Sequence, residues 1–325
     1  MSDIQPTTEQ KRMNRRKLSS NLILFLILFG MTVIFSALSS DFRSLYNITS
    51  MLTNAAYTGI VAAALTFVLI TGGLDISIGG NIALTSCVVA ALYNLENAPH
   101  IAIIIILGLC VGAIIGSMNG LLITKLDLNP IITSLGTMAI ASGLAYVITK
   151  SRSILIMEPV TGFISRTTLA TIPMPLFWFI IIYVFLALLL AKTKFGRKVY
   201  CIGANQEAAR LSGIKVNKVK YLLYLMSGIT ASFSGLIILG QSAVGMPQHG
   251  VGTELDVISA VLLGGTALTG GKGSILGTLA GVLILTILYN GFTMIGFKWV
   301  HIRVFQGILL VGVVALYEVR ERKRY

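Results

Sequence analysis

The sequence predicts an all-α polytopic membrane protein with about ten transmembrane helices in two inverted five-helix halves. Three observations lead there. Apolar residues fill 55% of the 325 positions and charged residues only 11%, with a mean hydropathy of +0.86, against about 25% charge in a soluble domain. Apolar runs recur at lengths that can cross a hydrocarbon core about 30 Å thick. The basic residues gather in alternate connections, as the positive-inside rule requires of a multi-pass chain.

Taken in chain order, the long runs lie at 20–38, 48–70, 101–124, 131–149, 174–191, 219–240, 274–292 and 302–318. Two others, 76–94 and 255–270, are shorter or interrupted; the first follows T-G-G-L-D-I-S-I-G-G and the second follows G-T-E-L-D-V. Ten crossings result, or eight or nine if an interrupted segment turns back. With the N-terminus inside, the inner connections hold Lys11, Arg12, Arg15, Arg16 and Lys17, then Lys125, eight basic residues between 192 and 220, Lys272, and finally Arg320, Arg322, Lys323 and Arg324. The outer connections keep Arg43, Lys150, Arg152, Arg166, Lys298 and Arg303. Both termini are therefore expected in the cytoplasm, as basic tails at 1–19 and 319–325 around a membrane domain at 20–318. The net charge of +13 reflects that orientation and the anionic headgroups of membrane lipid, and nucleic acid is a poor explanation for it. No cleavable signal peptide is expected, because no small-residue cleavage site followed by a polar domain comes after the first run.

The halves, about 20–172 and 173–318, echo each other. Leu74-Asp75-Ile76 opens the third span and Leu255-Asp256-Val257 the eighth. Gly108, Gly112, Gly116 and Gly120 form a ladder in the fourth span, and Gly273, Gly277 and Gly281 form one in the ninth. Asn119-Gly120 and Asn290-Gly291 then close these two spans. An offset of five crossings is odd, so the halves must face opposite ways, as in many transporters. Glycine at every fourth position lets a neighbouring helix approach closely. Gly72-Gly73, Gly79-Gly80 and Gly264-Gly265 suggest instead broken helices, which survive at membrane depth only when buried in protein or lining a path.

The chain carries little catalytic chemistry. The segment 264–274, G-G-T-A-L-T-G-G-K-G-S, misses a phosphate-binding loop, because Thr266 stands in the first glycine's place and Gly273 follows Lys272. Cys87, Cys110 and Cys201, with His100, His249 and His301, match no metal-ligand spacing, so no metal and no cofactor is expected on this chain. Most carboxylates sit at helix ends or in turns, whereas ion-coupled transporters carry them in mid-helix. The polar groups inside spans are mostly neutral, among them Asn54, Asn81, Asn119, Gln241, Asn290 and Gln306. Amides donate and accept without preferring a charge, which suits a hydroxyl-rich solute. Asp75, Asn81, Asn119 and Asn290 are the candidate path residues. Asp75 could equally cap a helix, assisted by Ser77.

Between 192 and 218 lies a polar basic loop in which Glu207-Ala208-Ala209 is followed, after three intervening residues, by Gly213. Together with T-G-G-L-D-I-S-I-G-G (71–80), G-S-M-N-G-L-L-I-T-K-L (116–126), P-I-I-T-S-L-G-T (130–137) and E-L-D-V-I-S-A-V-L-L-G-G-T-A-L-T-G-G-K-G-S-I-L-G-T (254–278), it resembles the ribose and xylose permease family of bacterial ABC importers. The resemblance runs from about 20 to 317. It implies a non-catalytic permease subunit in the bacterial inner membrane, forming the path for a monosaccharide. Its partners would be a second permease copy or paralogue, a separate ABC ATPase that holds the ATP and Mg, and an extracytoplasmic sugar-binding protein. In such permeases this loop carries the coupling helix, which would lie here around Gly203 to Gly213. Ala208 and Ala209 would present a small surface to the ATPase, Glu207 and Arg210 would flank it, and Gly213 would permit the turn. The family's Gly-Gly-Asn is Gly203-Ala204-Asn205 here. Permeases for autoinducer-2 or nucleosides share the pattern, and an ion-coupled secondary transporter is the rival of another class.

Overall fold

The computed structural model describes residues 8–156, 162–165, 168–169 and 172–322. Arg166, Lys323 and Arg324 of the charge pattern lie outside them. Helix α1 spans Thr8–Leu38, α2 Leu45–Ile70, α3 Ile78–Tyr93, α4 Ile101–Lys125 and α5 Pro130–Thr149. Then follow strand β1 (Ile154–Leu155), the turn-length α6 (Gly162–Ser165), β2 (Thr168–Leu169) and β3 (Ile172–Pro173). The rest comprises α7 (Met174–Lys192), α8 (Lys194–Ala204), α9 (Gln206–Leu211), α10 (Val216–Ser242), β4 (Val244–Gly245), α11 (Thr253–Leu263), α12 (Ile275–Met294) and α13 (Trp299–Arg322). A helix overlies every predicted span. Six of them, α2, α4, α5, α7, α10 and α12, are long and apolar enough to cross a bilayer; the apolar parts of α1, α3 and α13 are shorter. The protein is thus a polytopic helical membrane protein.

Helix α2 is the axis of the bundle. From Gly59 to Ile70 every residue is buried, because G-I-V-A-A-A-L-T-F-V-L-I is apolar or small on all sides. It packs against α7, α10, α11 and α12. Gly59 leaves room for the Phe179 ring of α7, which a Cβ there would strike. The hydroxyls of Thr66 and Thr278 meet at 2.8 Å between α2 and α12, so neither is left unpaired in an apolar interior.

The outer faces are greasy. On α4, Gly108, Gly112 and Gly116 face α10, while Ile106 and Ile114 of the opposite stripe stand exposed. On α5, Ile132 and Val147 are likewise exposed. Such continuous apolar stripes belong against lipid tails.

The interrupted segments differ in where they break. The chain is irregular over 71–77, before α3, and over 264–274, after α11. Gly72 and Gly265 there take φ of 73° and 86°, which favours glycine. Gly79-Gly80, expected as a break, is helical. These two residues serve packing instead: a Cβ on Gly80 would stand 2.6 Å from the Met138 carbonyl of α5.

Connections pair at both ends of the bundle. At one end the Asn94 amide donates to the Leu155 carbonyl (2.9 Å), β1 pairs antiparallel with β4, and Arg303 donates to the Val251 carbonyl (2.8 Å). At the other end Asn217 donates to the Thr124 carbonyl (2.8 Å), and the Gly271 amide donates to the Ile70 carbonyl (2.8 Å). Among the described residues, the first group holds parts of the connections expected outside after α3, α5 and α10, and the second holds parts of those expected inside after α2, α4 and α11 and of the 192–218 loop.

Candidate functional site

The polar loop after α7 folds into two short helices. Thr193 caps α8, its hydroxyl accepting from the Gly196 amide at 3.1 Å. Gly196, Val199 and Ile202 form the buried face of α8, while Lys194, Arg197 and Lys198 point outward. This is the period of an amphipathic helix lying on the bundle end. Asn205 then breaks the helix with extended backbone, and its side chain accepts from the Ala208 amide at 2.9 Å, a regular N-cap. The single helix expected around Gly203 to Gly213 is therefore two, with Gly203 in the last turn of α8 and Asn205 between them. Gly213 takes φ of 81° with open space around it. Its turn returns the chain to α10, and the Ile214 amide donates back to the Ala209 carbonyl (3.1 Å).

Burial corrects one assignment. Ala209 is only 4% exposed and belongs to the chain's own core, so it presents nothing to a partner. Along a six-residue helix one face must pack inward, and Ala209 lies on it. The outward surface consists of Ala208, Glu207, Arg210 and above all Leu211, which is 81% exposed. The Glu207–Arg210 contact at 3.9 Å is exposed on both sides and contributes little to stability. Leu211 carried no sequence signal, because an apolar residue in an amphipathic segment is read as core.

The loop is tied into the membrane domain at a three-way junction. A Cβ on Gly203 would collide with the Ile70 carbonyl at the end of α2 and stand 2.5 Å from the Gly271 amide. The Tyr200 hydroxyl donates to the Gly273 carbonyl at 2.8 Å, and Tyr183 of α7 donates to the Ile275 carbonyl at 2.7 Å. Thus α8 grips both the axial helix α2 and the turn joining α11 to α12. Close backbone approach is the physical reason for glycine at 203, 270 and 271.

The candidate path residues separate into two places. Asp75, Asn81 and Asn119 are at most 1% exposed and lie in a sealed polar seam between α3, α4 and α10. One Asp75 oxygen accepts from the Ser77 amide (3.0 Å) and hydroxyl (2.6 Å), and the other accepts from Ser227 (2.7 Å). Asn119 donates to Ser77 (2.9 Å) and accepts from Thr137 (2.7 Å). Asn81 donates to the Gly228 carbonyl (3.0 Å) and accepts from Ser232 (3.0 Å). In this conformation these residues join helices, and none of them lines the cavity described below. Asp75 also does not cap α3 through its first amides; it folds the preceding turn onto Ser77. Replacing Asn119 with leucine should remove its bonds to Ser77 and Thr137, which keep only the Asp75 carboxylate and the Ser134 carbonyl as partners, at about 0.5–1.5 kcal/mol for each bond lost. A thermal midpoint several degrees lower, read by scanning fluorimetry of purified protein, is the expected result. An unshifted midpoint with impaired transport would return Asn119 to the path.

Asn290 is elsewhere. It exchanges hydrogen bonds of 2.7 and 2.9 Å with Asn47 across the end of α2 and α12. Both side chains edge a cavity of about 670 Å³ bounded by α2, α11, α12 and α13. Asn54 and Gln306, noted only as neutral polar groups within spans, line the same cavity, as does Asp256. No sequence spacing joins 54, 256, 290 and 306; the crossing of four helices does. This cavity and the α8–α9 loop lie at opposite ends of the bundle.

Comparison with known proteins agrees with this architecture. The family model described as branched-chain amino acid transport system / permease component matches residues 47–314. Over 318 residues the chain is 40% identical to the ribose import permease protein RbsC of Bacillus subtilis (strain 168), covering 97% of this chain and 98% of the relative. It is 36% identical to RbsC of Escherichia coli (strain K12), over 85% and 86% of the two chains. It is 32% identical to the L-arabinose transport system permease protein AraH of the same strain, over 90% and 88%. No solved structure matches the chain.

Proposed function

The chain belongs to the family of branched-chain amino acid transport system permease components, and from that membership we propose that it is the permease subunit of an ATP-driven monosaccharide importer. The observation that carries this reading is the end-to-end 40% identity with a ribose import permease. Its role is transport, with ATP and Mg held by a separate ATPase chain. The repeated order of elements supports ten crossings in two inverted halves. A long buried helix (α2, α10), an irregular polar stretch, a short helix (α3, α11), a glycine-laddered helix (α4, α12) and a fifth helix (α5, α13) occur twice. The basic α8–α9 end then faces the cytoplasm of a bacterial inner membrane with both termini, and the cavity end faces out.

In this reading the ATPase grips the exposed surface of α9 and a sugar-binding protein docks at the cavity end. A second permease copy or paralogue completes the complex. Movement of α9 is delivered by α8 through Gly203 and Tyr200 to the end of α2 and to the 270–273 turn. Those two elements continue across the membrane into the walls of the outer cavity. A push at one end therefore has a rigid route to the other, by way of helices rather than loops.

The test is purification of the tagged chain from its native membrane in mild detergent, followed by identification of the co-purifying chains and by uptake in liposomes. The expected result is a P-loop ATPase and a sugar-binding protein, with uptake that needs ATP. Recovery of this chain alone, carrying solute down an ion gradient without ATP, would make it a secondary transporter.

A further inference from the structure

The outer cavity has the size and chemistry of a solute site. Its volume of about 670 Å³ sits within the ~300–1,000 Å³ typical of small-molecule sites. A neighbouring recess of about 450 Å³ shares Asn54, Tyr57, Asp256 and Arg303 with it, so these four side chains stand on a wall open to both. Asn54 is exposed on a spanning helix. An amide at that depth would be costly against lipid and is at ease only beside water or a polar ligand. Asp256 is held in place, since Gln306 donates to its carboxylate and in turn accepts from Arg303 at 3.2 Å. Arg303 is fixed by its bond to the Val251 carbonyl. Tyr57 and Tyr289 flank Asp256 with aromatic bodies and hydroxyl tips.

This set discriminates among ligands. A free anion would meet Asp256, a free cation would meet Arg303, and a lipid tail would meet both. A neutral ring with hydroxyls around its rim and an apolar C–H face uses all of it: the carboxylate accepts, the guanidinium donates, the amide does either, and an aromatic face takes the C–H side. We propose that this cavity binds the transported solute as a neutral polyhydroxylated ring, with Asn54, Asp256 and Arg303 bonding its hydroxyls and Tyr289 packing on its face. The proposal rests on the permease reading and adds to it a residue-level site on this chain.

The test uses the complete complex of permease, ATPase and binding protein in liposomes, supplied in turn with radiolabelled D-ribose and L-arabinose. Asn54→Leu and Tyr289→Ala should each lower ATP-driven uptake by at least ~10-fold, as loss of a dedicated polar or stacking contact does, while the ATPase stays bound. A second measurement does not depend on those variants folding. Ser50 is exposed on the cavity wall; Ser50→Cys, with Cys87→Ala, Cys110→Ser and Cys201→Ser, should be labelled from outside by a charged thiosulfonate, more slowly when sugar is present. Wild-type uptake in both variants together with labelling that sugar does not slow would overturn the site and leave the permease standing. Absence of ATP-driven uptake of either sugar by the wild-type complex would overturn the permease reading, and the site with it.

Discussion

Leu211→Asp should abolish ATP-driven uptake and weaken ATPase association by more than ~10-fold, the effect of removing an interface anchor. Leu211 ends α9 with 81% of its surface exposed, in an aqueous loop where Arg197, Lys198, Arg210, Lys215 and Lys218 are also exposed. A lone exposed leucine is ordinary. This one stands beside the exposed Ala208, on a helix whose other face is closed by Ala209 and whose base is anchored to α2 through Gly203. Rigid, small and apolar at its tip, α9 suits a groove on a partner. An exposed substitution shifts stability by no more than about 0.5 kcal/mol, so the variant should insert and purify like the wild type. Ala209→Arg is the weaker experiment, because a charge buried in the chain's own core would disrupt the loop whether or not a partner exists. Wild-type co-purification of the ATPase with Leu211→Asp, accompanied by normal uptake, would place the partner's contact elsewhere.

Gly112→Val should severely damage the membrane domain. A Cβ at 112 would run into the Gly228 carbonyl and the Ser232 hydroxyl of α10, and one at 228 would strike the Gly112 carbonyl and Gly116. Overpacking with side chains on both sides costs ~1–3 kcal/mol. Here the atoms in the way are backbone, so relief requires separating α4 from α10. That separation also strains the bond from Asn81 to the Gly228 carbonyl and the 2.7 Å contact between Thr85 and Ser232. We expect a thermal midpoint at least ~10 °C lower, given ~2–4 °C per kcal/mol in domains of 150–250 residues, or loss of monodisperse protein. Gly30→Ala is the control: nothing lies within 4 Å of a Cβ there, and alanine favours the helix by about 1 kcal/mol. Equal midpoints for wild type and Gly112→Val would mean that the α4–α10 contact is loose.

Much of this architecture was legible before any coordinates. The spans stand out because a bilayer demands about twenty apolar residues wherever a helix crosses it, a local and one-dimensional requirement. The glycine ladders are visible for the same reason: periodic small residues mark a close helix face whatever the partner. The family motifs marked the α8–α9 loop. The sequence could not say that Gly79-Gly80 packs within a helix while Gly72 bends a turn, since the same residue type meets both demands.

What the sequence by itself determined is the class of molecule, the position of its apolar helices and its family, all set by composition and by order along one chain. Only the tertiary structure decided which polar residues share a site. It sealed Asp75, Asn81 and Asn119 into a seam between α3, α4 and α10, and it gathered Asn54, Asp256, Asn290 and Gln306 around one cavity. It also turned Ala209 inward and Leu211 outward. The physical reason is that a buried amide and a path-lining amide obey the same rule, each needing a polar neighbour. Whether that neighbour is protein or solute depends on how helices far apart in sequence cross.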